Sequence, residues 1–539
     1  MTALPDFRTP RWAALSALLT TSVLLTACGS SGEGADSGSG RAKSGGTLTF
    51  AVGSDAGCVD PQQVASNETI YSVRQIVDSL TDQDPETGKI VPWLAKSWDV
   101  SSDATTFTFH LRSGVTFSDR SKLTAQVVKD NFDAVPKLGV LGALAEGYLS
   151  GVKSTTVIDP LTVKVAFKQP NAQFLQATST HSLGIESSAS VKKTPQQRCS
   201  DGVVGSGPFV LKQYVQNQSI ALARRTGYAW GSSLWSNKGE AYLDKLVFKV
   251  VPEAGVRAGS LQSGQVDAIS SVGKANEAAL RGSQVALQRR ANPGVVFGLA
   301  FNNSRPALKD ARVRQAILYA IDRRQIADTV FPTGTRAATS VLAHTTPDYT
   351  SLASNLTFDA AKAKSLLDQA GWKSGSDGIR AKGSRKLSLT INWIPNAATN
   401  QPALELIQQQ LKSVGIDVVL KQLPVTQLAP TLQSGDYDAA WSNVTRADPD
   451  ILRSSFSTQL ANFYRVPAGE LDAALSAQAA TTDTAKRKQL VAQAQESIVQ
   501  NAYYAPVVEL QTQLGVSKKV HDLDFDASSR IQLHDTWIG

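Results

Sequence analysis

The residues best equipped for chemistry stand together in YDAAWSNVTRADPD, residues 437–450. Trp441 offers a flat apolar wall, Asn443 and Thr445 offer hydrogen bonds, and Arg446 presents a fixed fork of donors suited to a carboxylate or phosphate. Asp448 or Asp450 could hold an ammonium group, which needs a charged, hydrogen-bonded partner once it is buried. The set suits a polar solute with an acidic group. A plainer assignment fits the same letters: Trp441 in a core, Arg446 paired with Asp448 at the surface, and Asp450 capping a helix through ILRSSF. The sequence leaves both open.

Catalysis has weaker support. Asp448 and Asp450 could be imagined as a glycosidase couple, but acids at i and i+2 are more often loop or cap groups. A hydrolase would want GxSxG and a zincin HExxH, and neither occurs. The five His, at 110, 181, 344, 521 and 534, show no local pairing with Cys or Asp in a catalytic pattern. His110 lies in an alternating strand as a structural residue. The chain is expected not to be an enzyme, and neither a metal nor a cofactor is expected.

These residues must be held by a large scaffold, since 539 residues with 42% apolar content exceed one compact domain and point to two or three lobes. The net charge of +8 falls to +7 when residues 1–27 are set aside, because Arg8 and Arg11 outnumber Asp6 there. With no run of like charges and 7% aromatic residues, no nucleic-acid partner is expected.

The run WAALSALLTTSVLL after Arg8 and Arg11 is too short and too near the start for a membrane span, and reads as an export signal over residues 1–27. It ends in LTAC, Leu25–Cys28, which resembles the bacterial lipobox, whose Cys takes a diacylglyceryl group and becomes the first residue after cleavage. A lipid on Cys28 would place the chain on the outer face of the cell membrane. A plain secreted protein with an incidental Cys is the alternative. Residues 28–46, rich in Gly and Ser, read as a flexible tether. Cys58 and Cys199 are the remaining thiols: export into an oxidising compartment favours a disulfide over two buried free thiols.

Strand and helix signals alternate beyond Thr47. Period-two alternation marks strands at 47–52, 105–111 and 161–167, while 243–251 and 295–301 read as more buried strands. In DARVRQAILYAIDRRQI, Val313, Ala316, Ile317, Ala320 and Ile321 form an apolar stripe, with Asp310 as N-cap and the Arg side chains outward. Two further helices end on Gly371 and Gly415, where a left-handed cap is wanted. LQSGQVDAIS at 261–270 and LQSGDYDAAW at 432–441 share LQSG and DA at one spacing, which suggests two similarly built α/β lobes. The class is α/β with antiparallel strands mixed in.

The block LAKSWDVSSDATTFTFHLRSGVTFSDRSKLTAQVVKDNFDAV, residues 94–135, resembles the signature of the family 5 extracellular solute-binding proteins, the peptide-binding receptors of ABC importers. GSGPFVL at 205–211 and FNNSRPALKDARVRQAILYAIDR at 301–323 carry the resemblance on, and it runs from about Gly46 to the C-terminus. Ala104 departs from a usual Gly, and Ser118 and Arg120 replace His and Gly in one turn.

The resemblance implies a three-lobed periplasmic-binding-protein-like fold with mixed sheets, two α/β lobes around a cleft and one extra lobe. Lobe I would comprise 47–75, 201–290 and 506–539, lobe II 76–200 and lobe III 291–505, with hinge crossings near Phe297 and Tyr504. It implies a monomer that closes on a peptide or peptide-like solute and presents it to an ABC permease. Asn67 falls where lobe I lines the cleft, and Trp393 and Asn396 in INWIPN end a lobe III strand; a turn cap and a core Trp are the plain alternatives. Peptide-binding relatives usually carry an Asp, about three residues before Asp-Pro, that pairs with the peptide's amino terminus. Thr445 stands there, which raises non-peptide solutes as an alternative: a sugar, an opine-like conjugate or a siderophore. A structural or adhesive surface protein would leave such a cleft unused.

Overall fold

The computed structural model describes residues 42–539, except 282, 283, 425, 426 and 461. Residues 1–41, and with them the export signal and Cys28, lie outside the described residues. Three sheets organise the molecule. The first has the order 285–291, 511–517, 268–269, 47–52, 245–250, 219–224, 209–215. Thr47–Val52 lies at its centre and runs parallel to both Lys245–Val250 and Ala268–Ile269. Leu48, Phe50 and Val52 sit in one core with Leu246 and Phe248. Lys245–Val250 alternates buried and open residues, so one of its faces is less covered than its apolar letters suggest.

The second sheet has the order 417–422, 388–393, 439–445, 294–301, 504–508. Ser388–Trp393 is parallel to both of its neighbours, and all eight residues of Gly294–Phe301 are buried. The repeated sequence motif is a structural repeat. Asp267 accepts the N–H of Thr49 on the neighbouring parallel strand at 2.8 Å, and Asp438 accepts that of Thr390 in the same way at 2.9 Å. Each motif turns on a left-handed glycine, Gly264 at φ 73° and Gly435 at φ 75°. One local sequence thus builds the same helix, turn and inner strand in two sheets.

The third sheet is antiparallel, in the order 95–100, 106–111, 162–167, 152–159. Phe107, Phe109, Phe132 and Phe167 pack edge-on around Phe174, with centroids 4.8–6.1 Å away. Ala104 and Arg120, the two positions where glycine was expected, adopt φ of 53° and 70° without it. Each donates its N–H to the residue three back, so the turns keep their form at a local conformational cost.

Ala311–Ala320 forms with Asp310 as N-cap, but the helix stops at Ile321 and Asp322 caps a second one, Arg323–Val330. The expectation of outward arginines fails at Arg314 and Arg323, both 4% exposed. Arg314 donates to the carbonyls of Leu308, Lys309, Asn501 and Ala502, and Arg323 to those of Leu318, Ile321, Leu356 and Pro506. Carbonyls left unpaired near helix ends make a buried guanidinium tolerable. Cys58 and Cys199 are joined as a disulfide across 141 positions of sequence. It ties the segment after the first strand to the helix Pro195–Asp201.

The chain passes between the first and second sheets twice, at 292–293 and 509–510, while Phe297 and Tyr504 already lie inside the second sheet. Asn292 braces the crossings by accepting the N–H and hydroxyl of Thr512 at 3.1 and 2.8 Å. At the first crossing Gly294 has φ 109°, and a Cβ there would lie 2.2 Å from the carbonyl oxygen of Val444. Only glycine lets the chain enter the second sheet so close to 439–445.

Candidate functional site

Strand directions locate the site. Val285–Ala291 runs into a crossing, and Gln511–Ser517, antiparallel to it, runs away. Ala268–Ile269 is antiparallel to 511–517, so it and its parallel neighbours 47–52 and 245–250 end on the side of the crossings. In the second sheet Gly294–Phe301 starts at a crossing, and 439–445 is antiparallel to it. Hence 439–445, 388–393 and 417–422 also end toward the crossings. Two carboxyl edges therefore face one pair of crossings, and the outside of such edges is where α/β sheets bind ligands.

On the first edge, Glu68 of the helix Asn67–Val73 accepts from the Gly53 N–H at 2.7 Å, from the Ser271 hydroxyl at 2.6 Å and from the Ser270 hydroxyl. Gly53 and Ser270 directly follow the strands 47–52 and 268–269. Asn67, half-buried at the start of the helix, accepts from Arg530 Nε at 3.3 Å.

The second edge holds the residues singled out in the sequence. Asn443 and Thr445 lie half-buried on the final part of 439–445, beyond its pairing with 388–393, and Thr445 opposes Gly294. Trp441 is 2% exposed, stacks on Phe297 with ring centroids 5.2 Å apart, and donates its indole N–H to Asn400 Oδ1 at 3.0 Å. Trp393 is also buried in the core of this lobe, so the two indoles fill the interior behind the edge rather than wall a cleft. Asn396 is exposed and accepts from Asn400 Nδ2 at 2.7 Å, so Asn400 links it to Trp441.

Arg446 does not pair with Asp448. Its guanidinium lies 4.5 Å from the ring centroid of Tyr148 and donates to Ser454 Oγ at 3.3 Å. Tyr148 belongs to the helix Ala143–Leu149 and to the core of the third sheet, so Arg446 links the second sheet to the third. The Gln83 side chain makes a second link, donating to the carbonyl of Ala447 at 3.1 Å.

Asp448 accepts two bonds from Arg487, at 2.6 and 3.0 Å, and the N–H of Asp450 at 2.8 Å. Asp450 makes no side-chain cap; it accepts twice from Arg453, at 2.7 and 2.8 Å, and once from Gln478. Burial works against the charge on Arg487, yet Asp448 and then Asp450 outweigh it and hold the guanidinium above its ordinary value. Both acids are thus committed to building the loop, a use that local spacing could not reveal because Arg487 lies 39 positions away. Two hollows of about 580 and 300 Å³ lie elsewhere, the larger bordered by Lys96, Arg112 and Trp230, the smaller by Tyr319 and Lys362.

A family model described as bacterial extracellular solute-binding proteins, family 5 middle, matches residues 89–464. The chain belongs to family 5. It is 27% identical over 469 residues to heme-binding protein A of Haemophilus influenzae, covering 81% of this chain and 82% of that one. It is 27% identical over 465 residues to the dipeptide-binding protein of Escherichia coli, covering 80% and 84%. The crystal structure of NikA from Brucella suis in complex with Fe(III)-EDTA superposes with a TM-score of 0.79 at 24% identity, over 92% of this chain and all of that one. The fold is that of the family 5 binding proteins.

The two acids that follow Thr445 are already paired with arginines. Sequence reading missed Glu68, Ser270, Ser271, Tyr148 and Arg530. A signal for Ser270 existed: it closes the first LQSG repeat as Trp441 closes the second. Arg530 and Tyr148 arrive from distant segments and leave no local pattern.

Among the described residues, no helix is long and apolar enough to cross a membrane, and no group of three or more His, Cys, Asp or Glu could hold a metal ion.

Proposed function

We propose that this family 5 protein is a lipid-anchored receptor outside the cytoplasm, which closes as a monomer on a peptide or peptide-like solute and hands it to the permease of an ABC importer. The observation that carries the reading is the shared double hinge: both carboxyl edges turn toward one pair of crossings, so a solute held between them gains contacts only when the lobes close. That differential affinity favours the closed state. The relatives named for dipeptide and heme show that one architecture takes unlike cargo.

A second reading, a non-peptide polar solute such as a sugar, an opine-like conjugate or a siderophore, has a specific observation in its favour. With Thr445 on the strand and Asp448 and Asp450 both bound to arginines, neither acid of the loop is free for a peptide ammonium group among the described residues. Native mass spectrometry of the purified protein should show a co-purifying molecule. Scattering with and without it should show a smaller radius of gyration when it is bound; an unchanged radius would turn the reading toward a structural surface protein. For the anchor, Cys28→Ser should abolish labelling by a fatty acid, and equal labelling of both forms would rule the lipid out.

A further inference from the structure

The hairpin of Asp524–Phe525 and Ile531–Gln532 carries a tip, residues 526–530, to the base of the cleft. Ser529 donates to the carbonyl of Ala291 at 2.9 Å, beside the first crossing, and Arg530 Nε reaches Asn67 on the first edge. Arg530 is 7% exposed, and that 3.3 Å bond is the sole partner of its guanidinium among the described residues. Among the described residues neither Nη group has a protein acceptor, although a guanidinium so little exposed ordinarily has one.

The surrounding charges are otherwise engaged. Asp526 accepts the N–H groups of Ser528 and Arg530 within its own turn, at 2.8 and 2.9 Å. Glu68 is held by Gly53, Ser270 and Ser271. Arg74 donates to Ser79 Oγ and the carbonyl of Ser179. His181, on the lobe II side, is 3% exposed; its Nε2 bonds the carbonyl of Val64 at 3.2 Å, which leaves Nδ1 a buried lone pair without a partner. Burial and then the charge of Arg530 keep this imidazole neutral, well below its usual range. The corner thus holds a guanidinium without an anion beside an imidazole lone pair without a donor, where the hinge and both flanking lobes meet.

We infer that Arg530 is the anion contact of the cleft and that the solute carries a carboxylate, bound by the Nη fork with Asn67 positioning the guanidinium. The inference rests on the receptor reading above and narrows its solute to an acid. It assigns the acidic-group recognition expected of Arg446 to the opposite wall. A planar carboxylate fits a guanidinium fork with two parallel bonds, which an amide of the same shape cannot match.

The probe is a library of N-acetylated di- and tripeptides, sugar acids and N-carboxyalkyl amino acids, each paired with its primary carboxamide, offered to ligand-free refolded protein and read by native mass spectrometry and calorimetry. The acid of a bound pair should exceed its amide by about 10- to 100-fold in affinity, the scale of a lost charge-assisted bond. Arg530→Gln should erase that preference, and Arg530→Lys should retain part of it. Arg530→Lys also serves if the Gln variant fails to fold. A bound pair with no acid preference, or a preference that survives in both variants, overturns the inference and leaves the receptor standing. No binding to any pair, with no co-purifying solute, overturns both.

Discussion

In the loop 446–450 each acid has its own guanidinium, Arg487 for Asp448 and Arg453 for Asp450, whereas among the described residues the guanidinium of Arg530 bonds only the amide oxygen of Asn67. Both regions border the same crossing between the sheets, Arg446 through the carbonyl of Pro293 and the Arg530 turn through that of Ala291. Full internal pairing fixes a loop, because each charge removed from water is already compensated and gains nothing from a solute. An unmatched charge costs stability in the empty protein and is compensated only when a ligand brings the missing partner. Chemical richness in sequence is therefore no measure of availability: Asp448 and Asp450, in the segment richest in functional groups, are bound to Arg487 and Arg453.

The largest expected effect breaks the matched side. Asp448→Ala strands Arg487, whose side chain is 16% exposed, and should lower stability by about 3 to 5 kcal/mol, the range for removing one partner of a buried pair. Arg530→Gln removes a cation without a counter-ion and should change stability far less. Urea unfolding of both variants tests the contrast; equal losses would show that Arg530 is structural too.

The segment behind the Arg530 corner runs from Cys58 to Val64, whose carbonyl His181 engages, and its disulfide to Cys199 closes a long loop. Replacing both Cys with Ser should reduce stability by about 2 to 4 kcal/mol, mostly through a freer unfolded chain. Thiol titration of the denatured, unreduced parent should find none of these two thiols, and two free thiols would remove the premise.

The fold was largely legible because its signals are local. Strand 47–52 alternates, Gly371 and Gly415 adopt φ of 84° and 91° at helix ends, and the two LQSG motifs build matching turns. The site was legible only as a neighbourhood. Thr445 and Asn443 do lie on a carboxyl edge, but periodicity cannot tell a Trp facing the core from one facing a cleft, since 439–445 is buried over its first three residues. Pairings such as Asp448 with Arg487 or Asn67 with Arg530 join residues 39 and 463 positions apart, and only tertiary structure decides them.

Acid sharpens the comparison further. Burial raises the Asp82 carboxyl, against the opposing pull of Arg74, from 3.8 to about 6. Between those values the folded protein keeps a proton that the unfolded chain has released, so this group's stabilisation is complete below the unfolded value and is lost as pH rises toward the folded one. The parent should lose on the order of 1 to 3 kcal/mol relative to Asp82→Asn between pH 4 and about 7. Parallel unfolding curves for the two proteins over that range would show that Asp82 does not titrate there.

The smallest effect concerns Arg446, which the sequence offers as a reader of solute and the structure places on Tyr148. A guanidinium over an aromatic face, partly desolvated, contributes about 0.5 to 2 kcal/mol, so Arg446→Ala and Tyr148→Leu should each destabilise the empty protein modestly. Because the two groups act through one contact, the double variant should lose less than the two single losses added together. Additive losses would mean that the contact carries no energy and that Arg446 is free to face the cleft. In that case its truncation should weaken binding of the co-purifying solute by about tenfold or more, the scale of a lost charge-assisted bond. A coupled pair, by contrast, joins the second edge to the lobe that carries Tyr148, and Arg446→Ala should then change the rate of lobe opening, and solute release with it, more than the contacts made to the solute itself.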